Sequence, residues 1–299
     1  MTKKQAWVKA LRLRTLPLSL SGIILGSFIA LQQGHWNGVV FTLAMLTTVL
    51  FQILSNLAND LGDSIKGADN NERIGPMRAV QSGVISKKEM KTAVIFTAVL
   101  SLFTAIPLII IGTKDMPANV LWIYAGLTVL CVLAAITYTV GKKAYGYSGF
   151  GDIFVFLFFG GISVLGVNVL YTKVFDSTVI LPAVSIGLLS TAVLNLNNMR
   201  DITNDRKVGK KTLVVQMGGD VAKLYHLLLI LGGLITMASY ISMQNQPFAW
   251  IGITPGFVLI LHLRMVMKAK NPKEFDPELK KVALTTFAIA VLTSIFLNI

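Results

Sequence analysis

Two polar clusters interrupt an otherwise apolar sequence, and each has carboxylates and amides at helical spacing. In each cluster an asparagine precedes an aspartate by four residues, which places both side chains on one helical face about one turn apart. A second aspartate extends each face. The six residues are Asn56, Asp60 and Asp63 in the first cluster and Asn197, Asp201 and Asp205 in the second. If the two faces oppose each other, their oxygens match the ligands that Mg²⁺ prefers.

Basic residues accompany both clusters in greater number than a metal site alone would need. They are Arg73, Arg78, Arg200, Lys210 and Lys211. Acids that hold Mg²⁺ beside bases that hold phosphate oxygens describe a diphosphate site. The alternative is that these are solvated loop charges at a membrane surface. The repetition of the pattern, with an asparagine before the aspartate each time, favours the diphosphate site.

Other familiar chemistries have no support in the sequence. There is no Gly-x-x-x-x-Gly-Lys-Ser/Thr loop for ATP-driven transport. Cys131 is the only cysteine, and it lies in an apolar run that predicts a buried position. His35, His226 and His262 have no ligand spacing, so we expect structural or interfacial roles and neither a zinc nor a haem site.

The composition explains why so few charges are informative. The chain has 299 residues, of which 54% are apolar and 14% are charged, and its formal net charge is +13. Soluble globular proteins carry about 25% charged residues, so an ordinary cytosolic enzyme is excluded. Disorder, a disulfide scaffold and most nucleic-acid binders are also excluded. The basic excess points to an anionic surface or anionic ligands.

Nine apolar stretches are long enough to cross a bilayer as helices, which takes about 20 mostly apolar residues. They lie at 16–33, 39–58, 92–112, 119–140, 152–171, 178–197, 224–243, 248–267 and 281–299. The two polar clusters fall at the ends of the second and sixth stretches. The sequence therefore predicts an all-α, multi-pass membrane protein. The basic N-terminal residues lead directly into a long span, which predicts an anchor and not a cleaved signal peptide.

The positive charges predict the orientation of these spans, because Lys and Arg accumulate in cytoplasmic loops. With nine spans and an N-terminus inside, all but two of the 27 basic residues fall on the cytoplasmic side. The two exceptions are Lys114 and Lys173. We therefore expect an integral protein of a bacterial cytoplasmic (inner) membrane, with its polar clusters inside and its C-terminus outside.

Five stretches in order resemble the UbiA superfamily of intramembrane aromatic prenyltransferases, and the resemblance covers nearly the whole chain. They are LRTLP at 13–17, QxxxNxxNDxxDxxxGxD at 52–69, GPMRAVQSG at 75–83, YTxGxxxYGYxGxGDxxxxxFFG at 138–160 and NNxRDxxxDxxxGKxTL at 197–213. The likeness is greatest to the branch that prenylates 1,4-dihydroxy-2-naphthoate in menaquinone synthesis. It implies a nine-helix bundle with a central cavity, formed by a single domain over residues 1–299.

The resemblance also implies roles for particular residues. The catalytic carboxylates Asp60, Asp63, Asp201 and Asp205, with Asn56 and Asn197, would hold Mg²⁺ on the diphosphate of the donor. The substrate-binding residues implied are Arg78, Lys142, Arg200 and Lys210 for the diphosphate, Tyr138 and Tyr147 for the wall around the allylic group, and Arg14 for the acceptor carboxylate. These assignments are expectations for the structure to place.

The implied reaction joins a polyprenyl diphosphate to 1,4-dihydroxy-2-naphthoate, releasing CO₂ and diphosphate and leaving a demethylmenaquinol in the bilayer. Mg²⁺ is the expected cofactor, and no obligate protein partner is inferred. One alternative keeps the diphosphate site with another acceptor, such as 4-hydroxybenzoate. A second alternative, from a different class, is a secondary transporter that uses intramembrane acids and bases as an anion and proton path.

Overall fold

The computed structural model describes residues 2–70 and 74–299, so Arg73 of the predicted basic set lies outside the described residues. Within these ranges the regular structure is helical throughout. The α-helices are α1 (Lys3–Leu11), α2 (Leu16–Gln32), α3 (Gly38–Lys66), α4 (Lys87–Gly112), α5 (Ala118–Thr137), α6 (Gly151–Phe156), α7 (Val167–Thr172), α8 (Ile180–Lys207), α9 (Leu213–Met217), α10 (Gly219–Ser242), α11 (Gly256–Lys268) and α12 (Phe275–Phe296). A π-helical segment, Leu157–Gly166, joins α6 to α7.

The described residues contain nine stretches that are long and apolar enough to cross a membrane. They are Lys3–Gln32, Gly38–Lys66, Lys87–Gly112, Ala118–Thr137, Gly151–Thr172, Ser177–Lys207, Gly219–Ser242, Pro247–Lys268 and Pro272–Phe296. Large apolar side chains such as Phe103, Trp122 and Phe257 are about three-quarters exposed on the outside of the bundle. Such a surface suits lipid and not water. The predicted all-α, nine-span architecture is confirmed.

The two helices with polar clusters extend beyond the apolar stretches that predicted them. The sequence places the spans at 39–58 and 178–197, whereas α3 continues to Lys66 and α8 to Lys207. A span predicted from hydropathy ends at the first polar or charged residues. The helices continue beyond that point because neighbouring segments bury their polar turns and supply partners for their charges. Helix α3 ends only at Gly67, whose φ of 72° permits the left-handed cap.

Separate hydrophobic cores hold the two helices that carry the polar clusters. Helices α1, α3 and α4 share the first core, in which Leu54, Leu57 and Met90 are nearly inaccessible. Helices α8, α10, α11 and α12 share the second, which includes Leu189 and Ile230. The two polar helix ends are therefore carried by different cores.

Helix α2 and the π-helical segment pack closely against each other, and both contribute side chains to the second core. A Cβ atom added to Gly26 of α2 would lie 2.3 Å from the carbonyl oxygen of Val164, so only glycine fits at this contact without a shift. Close backbone approach through small residues is a usual way for membrane helices to pack. It fixes the π-helical segment where it lines the cavity.

Candidate active site

The cavity has a volume of about 770 Å³ and a polar end formed by both sequence clusters. The polar residues that line the cavity include Asn59, Asp60, Asp63, Arg78, Asn197, Arg200, Lys210 and Asp276. Apolar and aromatic side chains line the rest, from α2, α3, α4, α5 and the π-helical segment. A cavity with one charged end and a long apolar body fits an amphipathic ligand whose head is anionic.

On the α3 side, the loop after the helix folds back onto the first cluster. Asp60 accepts hydrogen bonds from the backbone N–H groups of Ala79 and Val80, at 3.0 and 3.2 Å. Arg78 forms an ion pair with Asp63 and donates a 2.7 Å hydrogen bond to the backbone oxygen of Asn59. The loop thereby places Arg78 against the helix end, where it lines the cavity.

Arg78 is largely buried among carboxylates. Its Nε lies 3.1 Å from Asp69, in addition to the pair with Asp63. Burial alone would lower the pKa of the guanidinium, but the nearby charges of Asp63, Asp69 and Asp60 outweigh burial and raise that pKa above its ordinary value. Arg78 is therefore a permanent cation with fixed geometry.

Tyr147 supports Asp63 from behind the cavity. Its hydroxyl donates a 2.6 Å hydrogen bond to Oδ1 of Asp63, while its ring lies under the Lys66 ammonium at 3.9 Å and near that of Lys210 at 5.4 Å. Burial, and then the negative charge of Asp63, raise the pKa of the Tyr147 phenol, so it stays protonated and keeps donating. The sequence assigned Tyr147 to the cavity wall, whereas the structure places it outside the lining as a support for a carboxylate.

On the α8 side, Arg200 is the centre of the second cluster. Its guanidinium donates to both oxygens of Asp201, at 3.0 and 2.7 Å, and to Oδ1 of Asn197 at 2.8 Å. A fourth hydrogen bond, 2.6 Å long, reaches Asp276 in the first turn of α12. Arg200, Asn197 and Asp276 line the cavity, while Asp201 lies behind Arg200. The sequence analysis did not single out Asp276.

The remaining second-cluster residues join the two sides. Lys210 lines the cavity, and its ammonium lies 3.7 Å from Asp205. Asn204 donates a 2.9 Å hydrogen bond to the backbone oxygen of Ala68, just beyond the end of α3. This bond brings together two helix ends that are 136 residues apart in the chain.

Asn56 belongs to the predicted metal set, but its side chain faces the N-terminal segment. Its amide nitrogen donates to the backbone oxygen of Leu11 at 3.0 Å and to Oγ1 of Thr15 at 3.1 Å, and its Oδ1 accepts from Gln52. These bonds hold the turn between α1 and α2, which carries Arg14 to the cavity. The structure therefore places Asn56 as an anchor for the segment with Arg14.

Two more predicted substrate-binding residues have different positions. Tyr138 follows α5 directly and lines the cavity. Lys142 is exposed and lies outside the cavity lining. Arg78, Arg200 and Lys210 are the predicted diphosphate-binding cations that the structure brings together.

An aromatic series lines the cavity beside its polar end. The ring centroids of Tyr138 and Tyr145 are 5.2 Å apart, those of Tyr145 and Phe154 are 4.1 Å apart, and those of Phe154 and Phe158 are 5.9 Å apart. All four rings line the cavity. Sequence reasoning missed Phe154, although its spacing of four residues from Phe158 places both on one helical face.

The donor chemistry at the polar end fits a hard divalent cation. The available ligands are carboxylate oxygens of Asp60 and Asp63 on one side and the amide oxygen of Asn197 on the other. Among the described residues, no three His, Cys, Asp or Glu side chains converge into a cation site of their own. Mg²⁺ commonly takes one or two protein carboxylates and completes its shell with substrate phosphates and water, so the residues fit a metal that arrives with a diphosphate.

Sequence comparisons relate this chain to one protein family. The model of the UbiA prenyltransferase family matches residues 19–296. The chain is 42% identical to the 1,4-dihydroxy-2-naphthoate octaprenyltransferase of Escherichia coli K12, covering 100% of this chain and 97% of that protein. It is 41% identical to the protein of the same name from Haemophilus influenzae, covering 99% and 97%.

The fold is also that of a solved structure. A UbiA homologue from Archaeoglobus fulgidus, determined with DMAPP and Mg²⁺ bound, superposes with a TM-score of 0.61. The match covers 96% of this chain and 98% of the other, at 16% sequence identity. At that identity the likeness concerns the fold alone.

Proposed function

The chain belongs to the UbiA prenyltransferase family, and from this premise we propose that it transfers a polyprenyl group from a polyprenyl diphosphate to 1,4-dihydroxy-2-naphthoate. CO₂ and diphosphate are released, and the product is a demethylmenaquinol. We assign residues 1–299 to one prenyltransferase domain. The observation that carries the proposal is the cavity, which joins a polar end of paired acids and bases to a long apolar body.

The polar end binds the diphosphate of the donor. Arg78, Arg200 and Lys210 supply three cations to one end of the cavity, and each is held by a carboxylate. Cations oriented in this way bind phosphate oxygens and stabilise the charge that develops on the leaving group. Because they are oriented before the substrate arrives, little reorganisation is needed during the reaction.

The metal would be held chiefly by the carboxylates of Asp60 and Asp63, with Asn197 facing them across the cavity. When bound, Mg²⁺ neutralises the leaving diphosphate as a Lewis acid. Asp201 and Asp205 contact the cations Arg200 and Lys210, and we assign them the orientation of those side chains. Of the six metal-binding residues expected from the sequence, we therefore retain the three that line the cavity, Asp60, Asp63 and Asn197.

The aromatic series protects the allylic carbon after its C–O bond breaks. Tyr138, Tyr145, Phe154 and Phe158 present π-faces and edges and no strong nucleophile. Aromatic faces attract cations, and a wall of rings excludes the water that would otherwise capture the allylic group. The rings therefore stabilise positive charge without consuming it.

The acceptor attacks through the ring carbon that carries its carboxylate. A C–C bond forms to the allylic carbon, the C–O bond to diphosphate breaks, and the carboxylate departs as CO₂ with its bonding electrons restoring the aromatic ring. A carboxylate anion and an allylic cation thus give two neutral products, so no protein group must accept a proton from that carbon. Arg14, which lines the cavity, is assigned to the acceptor carboxylate.

We place the protein in the cytoplasmic membrane of a bacterium, with the N-terminus and the polar end of the cavity on the cytoplasmic side and the C-terminus outside. The asymmetric distribution of Lys and Arg supports this orientation. A cysteine introduced at Lys114 should then react with a membrane-impermeant maleimide in intact spheroplasts. A cysteine introduced at Lys88 should react only after lysis.

The function is tested with purified protein, octaprenyl diphosphate, 1,4-dihydroxy-2-naphthoate and Mg²⁺. Mass spectrometry should find a product that has gained the octaprenyl mass and lost CO₂. EDTA should stop turnover, and added MgCl₂ should restore it. Product formation from 4-hydroxybenzoate, with none from the naphthoate, would reassign the acceptor.

A further inference from the structure

The apolar body of the cavity extends far from the polar end. Along α3 its lining runs from Asp63 to Ala44, a distance of about 28 Å at about 1.5 Å per helical residue. On α4 the lining residues Leu108 and Ile109 are close to the end of the helix at Gly112. The cavity thus spans most of the length of the membrane helices that surround it.

At the distal end of this cavity lies a cluster of buried side chains, which we call the distal cluster. Its members are Ile23, Ala30, Val40, Ala44, Leu108, Val167, Leu170 and Tyr171. Five of them line the cavity, whereas Ala30, Val40 and Tyr171 lie behind the lining. Since every member is at most 8% exposed, the cluster forms a packed floor.

Tyr124 of α5 lies at this floor of the cavity. Its side chain packs against the distal cluster and lines the cavity. Its hydroxyl donates a 2.6 Å hydrogen bond to the backbone oxygen of Gly166, the last residue of the π-helical segment, and Gly166 also lines the cavity. The bond fixes a large ring between two walls of the cavity.

Helix α5, which carries Tyr124, has few buried residues of its own. Helix α5 has Ala134 as its one buried residue among those the structure describes, so packing alone holds this helix loosely. The hydroxyl bond adds a directional tether to the opposite wall. Irregular π-helical turns in helices are frequent at functional sites.

We propose that Tyr124, held by Gly166, determines the length of prenyl tail that the cavity accepts. The proposal rests on the proposed function, because it assigns the apolar body of the cavity to the tail of the donor. A tail that reaches the floor meets the Tyr124 ring, and further isoprene units then have to bend back or leave the cavity. Tyr124 is thus a specificity-determining residue, remote from the reacting atoms.

The test compares kcat/KM for a long donor, octaprenyl diphosphate, with that for a short one, geranylgeranyl diphosphate, in each variant. In Tyr124→Ala the ratio of long to short should rise about tenfold, the scale of discrimination that one small group gives in an apolar pocket. Tyr124→Phe keeps the ring without the tether and should shift the ratio less. The ratio is taken within one preparation, so a lower yield of folded protein does not change it.

A second variant works in the opposite direction. Ala44→Leu fills the distal end from α3 and should lower the ratio of long to short donors. Tyr171→Ala is the matched control, because it removes a tyrosine from the same cluster behind the lining and should leave the ratio unchanged. The proposal is overturned if Tyr124→Ala and Ala44→Leu keep the wild-type ratio, or if Tyr171→Ala shifts it equally. Absence of prenylated product from the wild-type protein with every donor would instead overturn the proposed function.

Discussion

The guanidinium of Arg200 donates a 2.6 Å hydrogen bond to the carboxylate of Asp276, and this contact ties the polar end of α8 to the first turn of α12. Both residues line the cavity. Arg200 is thus held from two directions, by Asp201 on its own helix and by Asp276 on another. The last helix of the bundle thereby takes part in positioning the cation that we assign to the diphosphate.

We expect Asp276→Asn to lower kcat/KM for the prenyl donor about tenfold, since a hydrogen bond to a charged group contributes about 1.5–3 kcal/mol and Asp276 is partly exposed. The KM for the naphthoate should stay near the wild-type value. Steady-state kinetics with each substrate varied in turn separate the two effects. Asp220→Asn makes the same change at an exposed site on α10 and serves as the control. Equal losses in both variants would contradict the assignment.

Arg78 should be irreplaceable even by lysine. Arg78→Lys keeps a positive charge but cannot contact Asp63, Asp69 and the backbone of Asn59 together. We expect kcat/KM for the donor to fall about 10- to 100-fold, in line with the loss of one charged hydrogen bond. Arg78→Ala should also lower the Tm in detergent, because it leaves buried carboxylates without their cation.

Lys143→Ala is the control for these variants, because Lys143 is an exposed base in a neighbouring loop. It should change neither the kinetics nor the Tm. If Arg78→Lys turned over the donor as well as the wild-type protein does, positive charge alone would be sufficient, and the multidentate geometry would have no part in binding.

Tyr147→Phe removes the hydrogen bond to Asp63 and keeps the ring beside Lys66 and Lys210. Groups that orient a metal-binding carboxylate typically change metal affinity 10- to 100-fold. We therefore expect the Mg²⁺ concentration for half-maximal activity to rise about tenfold, with smaller effects at saturating Mg²⁺. A Mg²⁺ titration of initial rates measures this.

The matched control for Tyr147 is Tyr225→Phe. Its hydroxyl also contacts an aspartate, Asp152 at 3.4 Å, but both residues lie outside the cavity lining. This variant should keep the wild-type Mg²⁺ dependence. The same Mg²⁺ dependence in Tyr147→Phe as in the wild-type protein would show that Asp63 is not a metal ligand positioned by Tyr147.

Arg14→Gln should act on the acceptor and not on the donor. Arg14 is exposed at the cavity, on the turn that Asn56 anchors, and it is assigned to the naphthoate carboxylate. Loss of a charged hydrogen bond predicts a rise of about tenfold in the KM for the naphthoate. The KM for the donor should be unchanged, as it should be for both substrates in the control Lys4→Gln. A rise in the donor KM alone would move Arg14 to the diphosphate.

Much of the membrane architecture could be predicted, because contact with lipid requires apolar side chains. A helix surrounded by hydrocarbon must be apolar over about 20 residues, so each span is visible as a local run. For the same reason, the sequence predicted that α3 and α8 end earlier than they do in the structure. Their last turns carry Asp63 and Asp205. Nothing in the neighbouring sequence indicates that these charges are surrounded by protein rather than by lipid or water.

The contacts of the buried histidines could not be predicted from the neighbouring sequence. His226 and His262 lie 36 residues apart, yet their Nε2 atoms are 2.8 Å from each other, and His262 also contacts Glu278. The sequence predicted structural or interfacial roles for these histidines but could not identify their partners. The packing of α10, α11 and α12 supplies those partners, so the histidines form a buried polar link between three helices.

By itself the sequence determined the all-α membrane class, the nine spans and the two acid clusters, since apolar runs and residues four apart on a helix are local properties. Only the tertiary structure decided which carboxylates face the cavity. Asp60 and Asp63 line it, Asp201 and Asp205 orient cations, and Asn56 anchors the segment with Arg14. The physical reason is that a buried charge requires a partner, and these partners come from segments distant in the chain, whose approach is set by the packing of the whole bundle.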